Sequence, residues 1–230
     1  YFLLVLWGRT VHIENFTLDQ TRHYTSTGIS TTAEDELVVR DILVDGQADG
    51  PYEEVDGTDD SLYPDDPFTL IPGVLNSDGT GVIENWRAPD GVQPYGRKGG
   101  SWVTFVHAGD LLFKGCHFER FSDNAIYGSP PGKGNGEGGS VRVEDCFFRS
   151  NNTTAIRLGS EGSYAKNCTV VNLEDEIPVL PWGALTARAG WVWYGFDGYY
   201  ENIRVISDHP SGVGIYDESS HSGPIEIRDS

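Results

Sequence analysis

The stretch VRVEDCFFRS, residues 141–150, has the same layout as LLFKGCHFER, residues 111–120. In each, apolar residues alternate up to a small turn-forming residue, and the alternation then restarts with a cysteine. Residues on one face of a strand are two positions apart. The apolar positions Val143 and Cys146 are three apart, so they share a face only if the chain turns at Asp145. The stretch therefore predicts two strands joined by a one-residue corner.

The same unit recurs along the chain, with its corners 22 to 44 residues apart: Asn15, Asp41, Asn85, Gly115, Asp145, Asn167 and Asn202, with a further start at Asp229. Gly, Asn and Asp tolerate the left-handed backbone that such a corner needs. A third short segment follows in most units, at 27–31, 124–129, 154–160, 183–188 and 212–217. The repeat predicts an all-β solenoid, a right-handed parallel β-helix of about eight coils. We expect this β-helix to form a single domain over residues 1–230, with residues 47–82 as an acidic insertion loop within it.

This series of corners resembles the pectate-lyase-like β-helix superfamily, in which stacked asparagines form an internal ladder at one corner. The resemblance covers nearly the whole chain and implies that Asn15 and Asn167 are buried in such a ladder. It also implies that substrates lie along the outer face of the first strand of each coil, between flanking loops.

The three cysteines, Cys116, Cys146 and Cys168, each follow a corner and occupy equivalent core positions in successive units. Adjacent strands lie about 4.8 Å apart, with side chains pointing the same way. Disulfides need converging Cβ atoms at about 3.5–4.5 Å. We therefore expect buried, reduced thiols. A zinc site is disfavoured because no CxxC spacing or close histidine accompanies them.

The composition is acidic, with 16 Lys and Arg against 35 Asp and Glu, a net charge of −19 and only four lysines. Such a surface stays hydrated in concentrated salt, where screening removes most self-repulsion. The chain therefore resembles a protein of a haloarchaeon or its virus, although an ordinary acidic protein has the same charge. The sequence disfavours nucleic acid as a partner because no basic stripe exists.

The opening stretch YFLLVLW is too short to span a bilayer and lacks the flanks of a signal peptide. No membrane span is therefore expected. The chain does not begin with Met, and the repeat is interrupted at both ends, so we expect a fragment of a longer chain. A homo-oligomer is a further expectation.

The first strands offer a candidate substrate row. If Ile126, Ile156, Leu185 and Ile215 point inward, then Tyr127, Arg157, Thr186 and Tyr216 point outward, and Arg188 lies on the same face as Thr186. Arginine pairs carboxylates bidentately, so this row suits an acidic polysaccharide or cell-surface glycan. The alternative is a row of solvated residues on an exposed sheet.

The segment WVWYGFDGYY, residues 191–200, adds aromatic rings, which make platforms for sugars and for protein partners. Trp191 and Trp193 are therefore candidate binding residues beside the row. Packing against the helix wall is the alternative for this segment.

Catalytic signals are sparse. The sequence SDNA, residues 122–125, resembles the paired-aspartate motif of polygalacturonases, which makes Asp123 a candidate acid. The family's other motifs are absent, and two-carboxylate hydrolysis needs a second carboxylate. A turn role for Asp123 is the alternative. If the protein is an enzyme, a polysaccharide lyase or glycoside hydrolase fits the resemblance.

Two further site types are suggested by loops. The acidic segment 51–66, with Asp56, Asp59 and Asp60, offers oxygen ligands for calcium, although a solvated insertion explains it equally. Sequons at Asn151 and Asn152 lie in a predicted loop where a glycan could attach.

Two functions remain open from the sequence. One is an extracellular, cell-surface or virion-surface protein that binds an acidic polysaccharide, either with or without cleaving it. The other is a non-enzymatic structural or adhesive stalk, such as a surface filament or a viral tail fibre or spike. A fold alone does not decide between them.

Overall fold

The computed structural model describes residues 2–22, 25–49, 68–93, 98–179, 186–194, 197–210, 214–217 and 225–230. These residues form an all-β structure, and all strand pairs are parallel within one continuous sheet. The strands are β1 (Phe2–Asp19), β2 (Gly28–Asp45), β3 (Phe68–Val74), β4 (Thr80–Ala88), β5 (Gly99–Trp102), β6 (Asp110–Lys114), β7 (His117–Glu119), β8 (Ile126–Gly128), β9 (Ser140–Glu144), β10 (Phe147–Arg149), β11 (Thr154–Leu158), β12 (Tyr164–Lys166), β13 (Thr169–Asn172), β14 (Arg188–Val192), β15 (Gly198–Glu201), β16 (Arg204–Ser207), β17 (Ile215–Asp217) and β18 (Ile225–Arg228). Two short 3-10 turns, Pro130–Gly132 and Glu174–Glu176, lie between strands.

From β5 onward each strand pairs with the strand three positions further along the chain. This spacing separates three faces. Face 1 contains the first parts of β1 and β2, then β3, β5, β8, β11, β14 and β17. Face 2 lies before the corner of each repeat and includes β6, β9, β12, β15 and β18. Face 3 lies after the corner and includes β7, β10, β13 and β16. The arrangement is consistent with a parallel β-helix.

The predicted corners are confirmed. All eight residues adopt left-handed φ values between 48° and 60°: Asn15, Asp41, Asn85, Gly115, Asp145, Asn167, Asn202 and Asp229. They stack in register because the residues on either side pair across successive strands, as Glu14 does with Arg40 and Phe16 with Ile42. We call this stack the corner ladder.

The expectation that the ladder is internal is wrong. The side chains of Asn15 and Asn167 are exposed, and amide-to-oxygen hydrogen bonds run along the outside, including Asn85 Nδ2 to Asp41 Oδ1 at 2.6 Å and Asn202 Nδ2 to Asn167 Oδ1 at 3.0 Å. The spacing of the repeat gives the reason. Inward residues three positions apart leave two consecutive residues outside, and the corner is one of them.

The core positions around the corner are buried as the spacing predicts. Val141, Val143, Cys146 and Phe148 are each at most 2% exposed. Phe148 stacks on Phe118 with ring centroids 6.0 Å apart. These apolar columns supply the burial that holds successive repeats together.

The thiol prediction is also confirmed, since Cys116, Cys146 and Cys168 are buried and free. The Cys116 amide donates to Cys146 Sγ at 3.3 Å. Burial raises the pKa of Cys146 well above its ordinary value. Cys146 therefore stays protonated and unreactive.

Charges alternate along the position that precedes each corner: Glu14, Arg40, Glu84, Lys114, Glu144, Lys166, Glu201 and Arg228. We call this stack the charge row. Arg40 lies 3.5 Å from Glu14 and 3.8 Å from Glu84, and Lys166 lies 2.6 Å from Glu201. Each side chain thus has opposite charges on its neighbouring strands, which favours one register over slipped ones.

The predicted insertion is shorter than residues 47–82. Phe68–Val74 forms β3 within it, pairing with β2 through Ile29 and Leu70, and residues 80–82 begin β4. The acidic segment of the insertion lies outside the described residues. In the described part of the chain, no helix has the length and hydropathy of a membrane span.

Candidate functional site

The outward positions of face 1 align into a row on successive strands: Trp102, Tyr127, Arg157, Trp191 and Tyr216. We call this set the face 1 row. Ile126 and Ile156, one position earlier, are fully buried, so alternation turns the row outward. Tyr127, Arg157 and Tyr216 therefore lie together as the sequence predicted.

The predicted register of the fourth strand is wrong. The strand is Arg188–Val192, so Trp191 occupies the place expected for Thr186, and Gly190 aligns with Ile156 and Ile215. Leu185 lies outside the described residues. A side chain at Gly190 would meet the Tyr200 ring at 2.9 Å, so Tyr200 fills the core space that a leucine was expected to occupy. Alternation in 183–192 fits either register, and only this packing distinguishes them.

Arg157 lies within a cage of aromatic rings. Its Cζ is 3.6 Å from the Trp193 ring centroid, 4.0 Å from Tyr127 and 4.4 Å from Trp191. Trp191 and Trp193 stack on each other at 4.6 Å. We call Tyr127, Trp191 and Trp193 the Arg157 cage. Cation–π attraction to ring faces stabilises the guanidinium here.

Arg157 is 4% exposed, and in the described part of the chain no carboxylate forms an ion pair with it. Its Nε and Nη2 have no hydrogen-bond acceptor among the described residues, and the same holds for Trp191 Nε1. Burial lowers the pKa of Arg157, and the hydroxyls of Tyr127 and Tyr194 partly offset this lowering. Burial likewise raises the pKa of Tyr127. Three buried donors thus share one site.

The edge of a guanidinium that carries Nε and Nη2 is occupied in another arginine of this protein, Arg149. Its Nε and Nη2 each donate to one carboxylate oxygen of Glu176, both at 2.6 Å. Arg157 presents the same edge without a carboxylate. Arg157 lies on the outward side of face 1, but the rings of Tyr127, Trp191 and Trp193 cover it.

Arg188 continues the aromatic contacts beyond the cage. Its Cζ is 4.4 Å from the Trp191 ring and 4.9 Å from the Tyr216 ring, which is itself 39% exposed. On the other side, Trp102 contacts Phe68 at 6.4 Å and Phe105 at 6.2 Å. The strip of rings is therefore longer than the sequence reasoning predicted. Trp102 could have been recognised from the sequence, because the stretch GGSW, residues 99–102, lies where a first strand of the repeat is due.

Asp123 lies in the turn before β8. Its Oδ1 accepts hydrogen bonds from the backbone and side-chain amides of Asn124, at 2.8 and 2.7 Å. This is the turn role that the sequence left as the alternative. No observation gives Asp123 a reacting partner, and its catalytic role stays a prediction.

The predicted glycosylation sites are contradicted by burial. Asn151 is 1% and Asn152 is 0% exposed. Asn151 accepts from Phe121 N and donates to Phe118 O, and Asn152 donates to Pro178 O. Both side chains connect neighbouring repeats through hydrogen bonds, so neither is available for glycosylation in the folded chain.

The predicted calcium ligands Asp56, Asp59 and Asp60 lie outside the described residues. Within the described ranges, no group of three or more His, Cys, Asp or Glu side chains could hold a metal ion.

Comparison of the chain with protein-family models, with curated proteins and with solved structures finds no match.

Proposed function

We propose that this chain is a right-handed parallel β-helix of the pectate-lyase-like type, with about eight coils, whose face 1 row binds an acidic polysaccharide. The proposed setting is extracellular, on a cell surface or on a virion, in a halophilic source. A net charge of −19 supports the saline setting.

The observation that carries the proposal is the in-register row of rings and arginines on strands about 4.8 Å apart. One extended chain lying across the strands would contact several of these side chains at once. Ring faces stack on sugars, and Arg157 and Arg188 favour an anionic polymer. Exposed charge pairs are weak alone, so the row acts jointly.

The row supports binding better than cleavage. None of its five members is a carboxylate, whereas hydrolysis of a glycosidic bond needs two. Asp123 is the candidate that the sequence offers, but its Oδ1 already accepts two hydrogen bonds. A lyase or hydrolase activity therefore rests on the superfamily resemblance alone.

The second candidate is a non-enzymatic stalk, such as a surface filament or a tail fibre. The corner ladder and the charge row favour it, because both run the length of the sheet and tie each repeat to its neighbours. Such a solenoid would hold a distal domain away from a surface without binding anything along its side.

Affinity electrophoresis in gels containing polygalacturonate, alginate or neutral dextran separates the two candidates. Retardation by the acidic polymers alone is expected, with less retardation for Arg188→Ala and Tyr216→Ala. Arg204→Ala is the matched control, because Arg204 is an exposed arginine on face 3. Equal mobility in every gel would remove the binding proposal and favour the stalk.

A further inference from the structure

The sheet has an open edge at each end of the described structure. Among the described residues, β1 pairs with β2 alone, and β16, β17 and β18 each pair with one preceding strand. The core continues to both edges, where its apolar members are only half-buried: Leu4, Leu6, Phe16, Ile215 and Ile225. Six of the eight large exposed apolar side chains in the described ranges lie in these same four strands. Open strand edges with apolar side chains are templates for pairing with another chain.

The charge row makes the two edges complementary. It begins with Glu14 in β1, ends with Arg228 in β18, and alternates in sign over eight members. An even number of alternating charges leaves opposite signs at the two ends. A copy whose β1 lay over β18 of another copy would therefore continue the alternation, whereas two β1 edges or two β18 edges would bring like charges together.

The segments at the two edges repeat a pair that is already stacked inside the protein. The internal pair is Val-Arg-Asp at 39–41 in β2, lying against Ile-Glu-Asn at 83–85 in β4. The edge segments are Ile-Arg-Asp at 227–229 and Ile-Glu-Asn at 13–15. They differ from the internal pair only by isoleucine in place of one valine. The two edges thus carry both halves of a junction that this protein already forms.

The internal junction shows which contacts the edges would make. Arg40 Nε lies 3.8 Å from Glu84 Oε2, and Asn85 Nδ2 donates to Asp41 Oδ1 at 2.6 Å. The two edge corners have left-handed φ values of 48° and 58°, close to the 56° and 53° of the internal pair. Both edges are therefore preshaped for the same ion pair and the same amide-to-carboxylate hydrogen bond.

We propose that copies of this chain stack head to tail, with β1 of one copy pairing in parallel with β16, β17 and β18 of the next. Arg228 then lies against Glu14 of the second copy, and Asn15 of that copy donates to Asp229. The same register places Ile227, which is 59% exposed and continues the column of buried Tyr200, over Ile13 of the second copy.

The contact joins two different surfaces, so it does not close on itself and produces a filament. The stacking is independent of the proposed function, because it uses the sheet edges and leaves the outward side of face 1 accessible. It holds whether or not the face 1 row binds a polysaccharide.

Sedimentation velocity of the chain in concentrated sodium chloride tests the stacking. High salt is needed because a net charge of −19 makes copies repel one another at low ionic strength. The average mass should rise with protein concentration without a plateau. A monomer at every concentration would overturn the proposal and leave a further coil of a longer chain as the occupant of the β1 edge. A plateau at the mass of a dimer would overturn it too, because it indicates a closed contact.

Two variants that each block one edge test the head-to-tail direction. Leu4→Lys and Ile227→Lys place a charge inside the junction, while in the free chain the lysine stem can lie on the core with its ammonium in water. Each variant alone should stay monomeric. An equimolar mixture should form particles of twice the monomer mass, because each variant keeps one functional edge. A mixture that stays monomeric would refute the proposed direction.

Ile206→Lys is the matched control. Ile206 is 42% exposed and lies in the last strand of face 3, but it points outward because its neighbour Val205 aligns with buried Val170. This variant should assemble as the wild type does. Loss of assembly in Ile206→Lys would show that copies associate through the outer side of face 3 and would overturn the stacking.

Discussion

Replacing His107 by phenylalanine should destabilise the protein by about 2–4 kcal/mol. His107 is fully buried between β3 and β9. Its Nδ1 accepts from Val74 N at 3.1 Å, and its Nε2 donates to Ser140 O at 3.0 Å. Phenylalanine keeps the ring volume but leaves Val74 N buried without its partner, which costs about 1–3 kcal/mol, and it removes one bond to Ser140 O, worth about 1 kcal/mol. Urea unfolding at pH 7.5 measures the difference.

The same side chain predicts a pH dependence. Burial lowers the pKa of His107, although the hydrogen bond to Ser140 O and the charge of Asp110 oppose the shift. The unfolded chain then binds a proton more readily than the folded one. The stability from neutral His107 is therefore complete above its ordinary pKa of about 6.5 and is lost as the pH falls through the lower folded value.

His107→Gln is the control, because an amide offers one acceptor and one donor but does not titrate in this range. It should be more stable than His107→Phe and should lose less stability than the wild type between pH 7.5 and 5.5. The reasoning fails if His107→Phe is as stable as the wild type, or if the wild type and His107→Gln respond identically to pH.

Two further predictions concern the core and the charge row. The three buried thiols should react slowly with a thiol reagent in the native protein and readily after denaturation, because burial keeps the reagent away from their sulfur atoms; rapid native labelling would contradict this. Lys166→Glu should lower the melting temperature at low salt, because it places like charges on adjacent strands. Adding Glu201→Lys should not restore it, since Glu144 and Arg228 would then each face a like charge. Full recovery in the double variant would show that Lys166 and Glu201 act as an isolated pair.

The external position of the corner ladder shows where a resemblance and a physical argument diverge. The superfamily resemblance implied buried asparagines. The three-residue spacing between Val143 and Cys146 already required two outward residues at each corner. The charge row was equally readable, since it occupies the residue before each aligned corner. Both features depend only on local alternation and on register.

The sequence by itself determined the parallel all-β architecture, the eight corners and the buried cysteine column. These follow from strand alternation and from the few residue types that accept a left-handed backbone, both of which are local properties. Only the tertiary structure decided that Trp191 lies opposite Arg157, because the strand could have started at either of two registers, and the packing of Tyr200 under Gly190 selected one. It alone decided that Asn151 and Asn152 are buried and that Arg157 is covered by three rings. Burial of a polar side chain depends on which distant segments lie over it, and no local pattern records that.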